Sequence, residues 1–162
     1  GVEVVFGGET EDVEGLVRLE AGRKVVVSQV YCSAMAVGYS GVRDAERWEG
    51  IARIVLDGLY EATLWAAIIN GKELAGERMN GSRAEVFLTF INTSVFLTFI
   101  GGGVFENKDE WICGAIGREL TRVEAAGGDL HVIVLHYRSV SEKRRELIDC
   151  SRLEEAKLLA SG

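Results

Sequence analysis

The sequence predicts a single α/β domain with a largely parallel central sheet. Segments rich in β-branched and aromatic residues alternate with segments whose apolar residues recur every three or four positions. The predicted strands cover residues 24–32, 95–100 and 130–137. The predicted helices cover residues 44–70, 109–126 and 139–159. The 162 residues suffice for one domain with its own core, over residues 1–162.

The first forty residues give one clear strand. Residues 24–32, KVVVSQVYC, predict it by their β-branched content. Residues 2–6 alternate weakly and indicate an edge strand or a terminal remnant, and residues 1–23 are expected to be a partly irregular N-terminal segment. Small residues and glycines over 33–41 predict a loop.

The longest helical pattern extends over residues 44–70. Its apolar spacing predicts one continuous helix from about residue 47 to residue 69, lying against the sheet. Gly71 is expected to end it, and a polar loop is expected over 72–83. Gly58 inside the helix suggests close packing. The residues predicted to face inward are Trp48, Val55, Leu59, Ala62 and Ala66.

A six-residue sequence, VFLTFI, occurs twice, at 86–91 and at 95–100. The three intervening residues could close a hairpin, or the two identical strands could compete for one register. Only the second copy leads into a glycine loop. We therefore expect residues 95–100 to be the central strand, covered on both faces, and residues 86–91 to be less buried.

The second copy is followed by three glycines and the start of a helix. Glycines permit positive φ and let the backbone approach a ligand closely. Asn107 is predicted to cap the helix, with Glu110 completing a capping box. A glycine loop at a helix N-terminus is an anion site, most often for phosphate. The alternative is a glycine turn that only makes a tight corner.

The carboxyl-terminal third continues the alternation. A second amphipathic helix is predicted over 109–126, a buried strand over 130–137, and a last, highly charged helix capped by Ser139 with Glu142. The residues of the second helix expected to face inward are Ile112, Ala115, Ile116, Leu120 and Val123.

Composition limits the function classes. The net charge of −7 argues against nucleic acid or an anionic membrane as main partner. No apolar run is long enough to span a bilayer, and the acidic first residues do not resemble a signal peptide, so a cytoplasmic location is expected. We expect no metal and no cofactor, because His131 and His136 lie on opposite sides of a strand. The three cysteines are expected to be buried, reduced thiols: Cys32, Cys113 and Cys150.

The order of these motifs resembles macrodomain-like proteins, in particular the branch near the microbial poly(ADP-ribose) glycohydrolases. The segments that carry the resemblance are VVVSQVYCSA, WEGIARIVLDGLYEATLWAAIIN, VFLTFIGGGVFENKDEWICGAI and LHVIVLHY. The resemblance implies a three-layer α/β/α sandwich that binds ADP-ribose, free or attached to a protein, through the glycine loop. It implies these ligand-binding residues: Gly101, Gly102, Gly103, Val104, Phe105, Asn107, and Tyr137 against the adenine.

Three functions remain open. The first is binding of ADP-ribose or a related nucleotide diphosphate. The second is ADP-ribosyl hydrolysis, for which the catalytic residues are unknown and only Glu9, Glu11 and Glu14 offer an acid or base. The third is a degenerate structural domain, favoured by the repeat and by Glu106, whose carboxylate stands where such loops usually carry a small residue.

Overall fold

The computed structural model describes residues 2–3, 28–41, 45–79, 93–135 and 141–161. Over these residues the chain is an α/β protein with a small sheet and three long helices. The strands are β1 (Val2–Glu3), β2 (Thr93–Thr98) and β3 (Leu130–Leu135). The helices are α1 (Glu49–Met79), α2 (Asp109–Ala125) and α3 (Glu142–Ser161), with short 3-10 turns at Val37–Tyr39 and Ala45–Trp48.

The described sheet is parallel throughout, with strand order β1-β3-β2. The register of β2 on β3 runs from Thr93 opposite Leu130 to Thr98 opposite Leu135. Helix α2 makes the crossover between these two strands, as parallel pairing requires. β3 is therefore the central strand of the described sheet and β2 lies at its edge, so within the described residues the prediction that residues 95–100 take the centre is not met.

Strand β2 is covered on one face only. Val95 and Leu97 are buried, whereas Phe96 between them is 61% exposed. The expected burial on both faces is therefore wrong for this strand. An apolar run shows that a strand can be buried, but alternate side chains point to opposite faces, and only the packed elements decide how many faces are covered. β3 is the strand that is buried on both sides, through Val132, Ile133 and Val134.

The described elements form two layers, not the predicted three-layer sandwich. One face of β2 and β3 joins α1 and α2 in a single apolar core. Helix α3 packs beside α2 at Gly117, where a Cβ atom would lie 2.6 Å from the carbonyl oxygen of Ile148. The chain thus belongs to the α/β class, with its described helices gathered on one side of the sheet.

Helix α1 confirms the predicted long helix. Its carboxyl end and the face that it turns toward the core differ from the prediction. It continues past Gly71 to Met79, because one glycine costs only ~1 kcal/mol among good helix formers. Ala62 is exposed, and no atom lies within 4 Å of a Cβ placed on Gly58, so the close-packing interpretation of Gly58 is wrong. The buried face consists of Ala52, Leu56, Leu59, Tyr60, Leu64 and Ile68; of the residues predicted to face inward, Leu59 is buried and Trp48, Val55 and Ala66 are half-buried.

Several predicted elements fall partly or wholly outside the described residues. These are residues 4–27, the first VFLTFI copy at 86–91, and Ser139. The described part of the strand predicted over 24–32, residues 28–32, has no strand structure, so that prediction is wrong there. At the start of α3, the Oγ of Ser141 accepts a hydrogen bond from the Arg144 N–H (3.4 Å), which is the arrangement of an N-cap.

Helix α2 is the most enclosed element, and its predicted inward face is confirmed. An ion network of two buried glutamates and one partly exposed arginine joins it to α3. Arg122 donates to Glu119 (2.7 Å) and to Glu155 (2.8 Å), and both glutamates are at least 95% buried. Burial raises the pKa of Glu119, and the neighbouring Arg122 only partly opposes this. The network therefore orients α2 against α3, although burial destabilises the ionised form of Glu119.

We expect Leu97→Ala to lower the free energy of unfolding by ~2–5 kcal/mol, because it leaves a cavity in the core face of β2. Phe96→Ala on the opposite face should cost distinctly less. Urea denaturation followed by circular dichroism measures both values. Equal losses would contradict the one-sided burial of this strand.

A second prediction concerns pH. Because the folded-state pKa of Glu119 is raised above 4.5, the folded state holds this proton more tightly than the unfolded chain does. The stability that protonated Glu119 contributes is therefore fully present below pH 4.5 and is lost as the pH rises through its folded-state pKa. Glu119→Gln removes that loss, so the stability of the variant relative to the parent should be higher at pH 7 than at pH 4. Urea titrations at both pH values measure the difference, and a pH-independent difference would contradict the assignment.

Candidate functional site

The candidate site is the glycine loop, residues 99–108, between the carboxyl end of β2 and the start of α2. Gly101 has a φ of 89°, which only glycine adopts without strain. The Asn107 N–H donates to the Gly101 carbonyl (3.0 Å), and the Glu106 N–H donates to Gly103 (3.0 Å). These bonds close a compact turn at the edge where ligands bind in open α/β sheets.

Asn107 holds this turn from inside. Its side chain is 5% exposed, and its Nδ2 donates to the carbonyl oxygens of Met35 (2.8 Å) and Gly101 (3.3 Å). The predicted helix cap is wrong: Lys108 is the N-cap residue of α2, without a side-chain capping bond, and Glu110 pairs with Lys143 (3.0 Å). The amide fixes the loop's shape, and its own Oδ1 is buried with no hydrogen-bond partner among the described residues.

A second loop, residues 33–41, supports the glycine loop and is called here the companion loop. The N–H of Gly38 donates to the Phe105 carbonyl (3.1 Å), and the Tyr39 and Phe105 rings meet edge to face at 6.0 Å. A Cβ on Gly38 would lie 2.8 Å from the Val104 carbonyl oxygen and 2.9 Å from the Glu106 side chain. The small residues of the companion loop are therefore needed for close contact between the two backbones.

Glu106 is exposed and has a φ of 55°, in the left-handed region. For a residue with a Cβ this conformation costs roughly 1–2 kcal/mol. Its side chain lies against Gly38. The carboxylate whose charge counts against an anion site is thus turned toward the companion loop.

Tyr60 on α1 holds the point where β2 becomes the loop. Its buried hydroxyl donates to the Thr98 carbonyl (3.1 Å) and accepts from the Ile100 N–H (3.3 Å). Burial raises the pKa of this hydroxyl well above its usual range, so it stays protonated as a donor. Tyr60 is not among the residues predicted from the sequence to form the site; the signal available there was a hydroxyl group on the apolar face of a long helix.

Three successive backbone N–H groups of the loop are without an acceptor among the described residues: those of Gly103, Val104 and Phe105. Gly102 differs, because its N–H donates to the Phe99 carbonyl (3.4 Å). Gly103 and Val104 are exposed, and a Cβ on Gly103 would meet no atom within 4 Å. This part of the loop therefore offers accessible donors beside the positive end of the α2 dipole.

The charges around the loop are paired with each other. Lys108 forms an ion pair with Glu46 and lies 5.4 Å from the Trp111 ring centre. Arg144 donates to both carboxylate oxygens of Asp109, at 2.7 and 3.0 Å. Each of these cations already has a carboxylate partner. An anion at this loop would therefore depend on backbone donors more than on basic side chains.

Other chemistries find little support in the described part of the chain. Cys113 is fully buried, and burial raises the pKa of its thiol to about 12, so it does not act as a thiolate. Cys150 is exposed, which corrects its expected burial, and Cys32 is half-buried. Among the described residues no group of three His, Cys, Asp or Glu side chains could hold a metal ion. No described helix has the length and apolarity that crossing a bilayer requires.

A small cavity lies at the other end of the sheet, between α2 and the start of β3. It has a volume of about 30 Å³ and is lined by Leu120, Val123, Glu124, Gly128, Asp129, Leu130 and Val132. That volume holds one or two water molecules and no nucleotide. This cavity is therefore not an alternative nucleotide site.

Of the residues expected to bind ligand, six lie in the loop and differ in accessibility. Gly102, Gly103 and Val104 are exposed, Gly101 and Phe105 are half-buried, and Asn107 is buried. Tyr137 lies outside the described residues. The expected loop is thus present. Its exposed residues are Gly102, Gly103 and Val104 in the middle of the loop, whereas Asn107 has a structural role.

The two outer glycines should respond differently to alanine. A Cβ on Gly101 would lie 2.6 Å from the Ala34 Cβ and 2.7 Å from the Asn107 Nδ2, at a positive φ. We expect Gly101→Ala to cost ~2–4 kcal/mol of stability from strain and overpacking together. Gly103→Ala should change stability by less than about 0.5 kcal/mol. Thermal and urea unfolding measure both, and similar losses at the two positions would contradict this loop geometry.

Comparison of the chain with protein-family models, with characterised proteins and with solved structures found no match. The resemblance to macrodomain-like proteins therefore rests on the sequence motifs alone.

Proposed function

We propose that the glycine loop binds the diphosphate of a nucleotide such as ADP-ribose, free or attached to a protein. The observation that carries the proposal is the row of backbone N–H groups at Gly103, Val104 and Phe105, which have no described acceptor. Successive backbone donors at a strand end beside a helix N-terminus form a site complementary to phosphate oxygens. The proposal rests on this loop and not on a three-layer architecture.

The rigidity of the loop supports binding. The Asn107 amide, the Tyr60 hydroxyl and the Gly38 N–H each hold the backbone from a different element. The donors are thus held in place before a ligand arrives, which reduces the ordering cost of association.

Hydrolysis, the second function left open by the sequence, needs a general acid or base. The candidate acids Glu9, Glu11 and Glu14 lie outside the described residues. Within the described residues, the exposed backbone donors of the loop stabilise negative charge but neither supply nor accept a proton. We therefore propose recognition of the nucleotide, which is the step that the described loop supports.

The test is isothermal calorimetry with ADP-ribose on the parent and on Gly103→Glu. The new side chain enters open space, so the fold should persist, while its carboxylate repels the diphosphate from the donors. Leu158→Glu is the matched control, because it adds the same charge at a side chain that is 64% exposed on α3. We expect the parent and the control to bind and Gly103→Glu not to bind.

Two further measurements sharpen this test. Glu106→Gln should change the affinity by less than the roughly fivefold that ~1 kcal/mol of repulsion at ~4 Å would give, because the Glu106 side chain lies against Gly38 and away from the donors. Pyrophosphate and ADP, titrated in parallel, report how much of the affinity comes from the diphosphate. Absence of binding by the parent at millimolar ADP-ribose, or equal binding by Gly103→Glu, would refute the proposed function.

A further inference from the structure

The first turn of α2 carries two carboxylates beside the proposed anion site. Asp109 and Glu110 follow directly on the glycine loop, whose unpaired donors end at Phe105. Acidic side chains suit the positive end of a helix dipole, but they repel a diphosphate that binds at the same place. An anion therefore binds well at this loop only if the charges of these two carboxylates are balanced.

The balancing cations come from the start of α3. Arg144 donates to both carboxylate oxygens of Asp109, from Nε at 2.7 Å and from Nη2 at 3.0 Å. The pair of Lys143 with Glu110 is weaker, because its side chains are 69% and 45% exposed and solvent screens them. The side chains of Arg144 and Asp109 are 26% and 33% exposed, and a contact with two oxygens is better defined. Arg144 is therefore the main balancing charge.

Arg144 also contacts the glycine loop itself. Its guanidinium carbon lies 4.6 Å from the centre of the Phe99 ring, which is the range of a cation–π contact. The Phe99 ring in turn lies close to Gly102, since a Cβ on that glycine would be 2.8 Å from the ring carbon Cδ1. The Gly102 N–H donates to the Phe99 carbonyl (3.4 Å). One side chain of α3 thus contacts both the first residue of the loop and the first residue of α2.

We propose that Arg144 is a positioning residue of the anion site. It neutralises Asp109 and holds the Phe99 end of the loop, so the packing of α3 against α2 makes the loop competent to bind a diphosphate. Its guanidinium is directed at Asp109 and Phe99, so it acts through these neighbours and not as a ligand of the phosphate. The inference rests on the proposed function, because it concerns the same backbone donors.

Loss of the Arg144 charge should weaken binding without unfolding the chain. In Arg144→Gln the Asp109 carboxylate no longer has a cationic partner from α3, and its charge lies beside the donors of the loop. We expect the dissociation constant for pyrophosphate to rise by roughly fivefold, the effect of one unit charge a few ångströms away in a well-solvated site. Arg144→Lys keeps the charge and loses the two-oxygen contact, so its dissociation constant should lie between those of the parent and Arg144→Gln.

A matched control is available at the other end of the same two helices. Arg152 of α3 donates to both carboxylate oxygens of Glu124 of α2, at 2.7 and 2.6 Å, and its side chain is also 26% exposed. Arg152→Gln therefore removes the same charge and the same kind of contact far from the loop. Its affinity for pyrophosphate should equal that of the parent.

A double variant separates charge balance from a purely structural role. Asp109→Asn removes the carboxylate that Arg144 neutralises, so Arg144→Gln with Asp109→Asn should bind pyrophosphate more tightly than Arg144→Gln alone. A purely structural role predicts no recovery, because the double variant lacks the ion pair as well. Asp109→Asn alone should bind at least as tightly as the parent.

The experiment is isothermal calorimetry with pyrophosphate on the full chain, with urea midpoints to establish that each variant is folded. A parent that binds while Arg144→Gln binds equally well, or a double variant with no recovery, would overturn this inference and leave the proposed function standing. A parent that does not bind pyrophosphate or ADP-ribose at millimolar concentration would overturn both.

Discussion

The buried amide of Asn107 is the contact on which the candidate site depends. It joins the glycine loop to the companion loop through the carbonyl oxygens of Met35 and Gly101. Buried carbonyl groups need donors, and loops have few of their own. Among the described residues, the N–H groups of Gly103, Val104 and Phe105 on the outer side of the loop have no acceptor. The structural hydrogen bonds thus lie on the inner side of the turn, and the donors of the proposed binding site lie on its outer side.

Helix α1 connects this site to the rest of the molecule. Tyr60 projects from its buried face and holds the end of β2 through hydrogen bonds with Thr98 and Ile100, while Ile54 and Ile69 are exposed on the opposite side. The position of the glycine loop relative to the core therefore depends on α1.

The packing of α2 explains why the loop has a fixed orientation. This helix starts at the loop, is enclosed on nearly every side, and is tied to α3 by Arg144 at its start and Arg122 near its end. Arg144 binds both carboxylate oxygens of Asp109, and the Glu155 partner of Arg122 is buried, so both ends of α2 are restrained against α3. The start of α2 therefore cannot shift without disturbing α3, and the exposed donors keep their position relative to the sheet.

The sequence by itself determined the α/β class, the bounds of α2, the long helix and the glycine loop. These features depend on local properties: the period of apolar residues, the β-branched content of strands, and the backbone freedom of Gly101. It could not select the buried face of α1, because a helix that is apolar on both faces gives a spacing that fits either one. For the same reason the spacing predicts that Ala62 faces inward, whereas it is exposed.

Tertiary structure decided which strand lies at the centre of the described sheet and whether Asn107 caps a helix or bridges two loops. A strand's position depends on which neighbours pair with it, and residues 95–100 and 130–135 have similarly apolar sequences. Asn107 resembled a helix cap because capping residues and buried bridging amides share the same chemistry. The companion loop, which is remote in sequence, brings the Met35 carbonyl oxygen to the Asn107 side chain. The amide therefore donates to that carbonyl and does not cap α2. Long-range contacts therefore settled what local patterns left open.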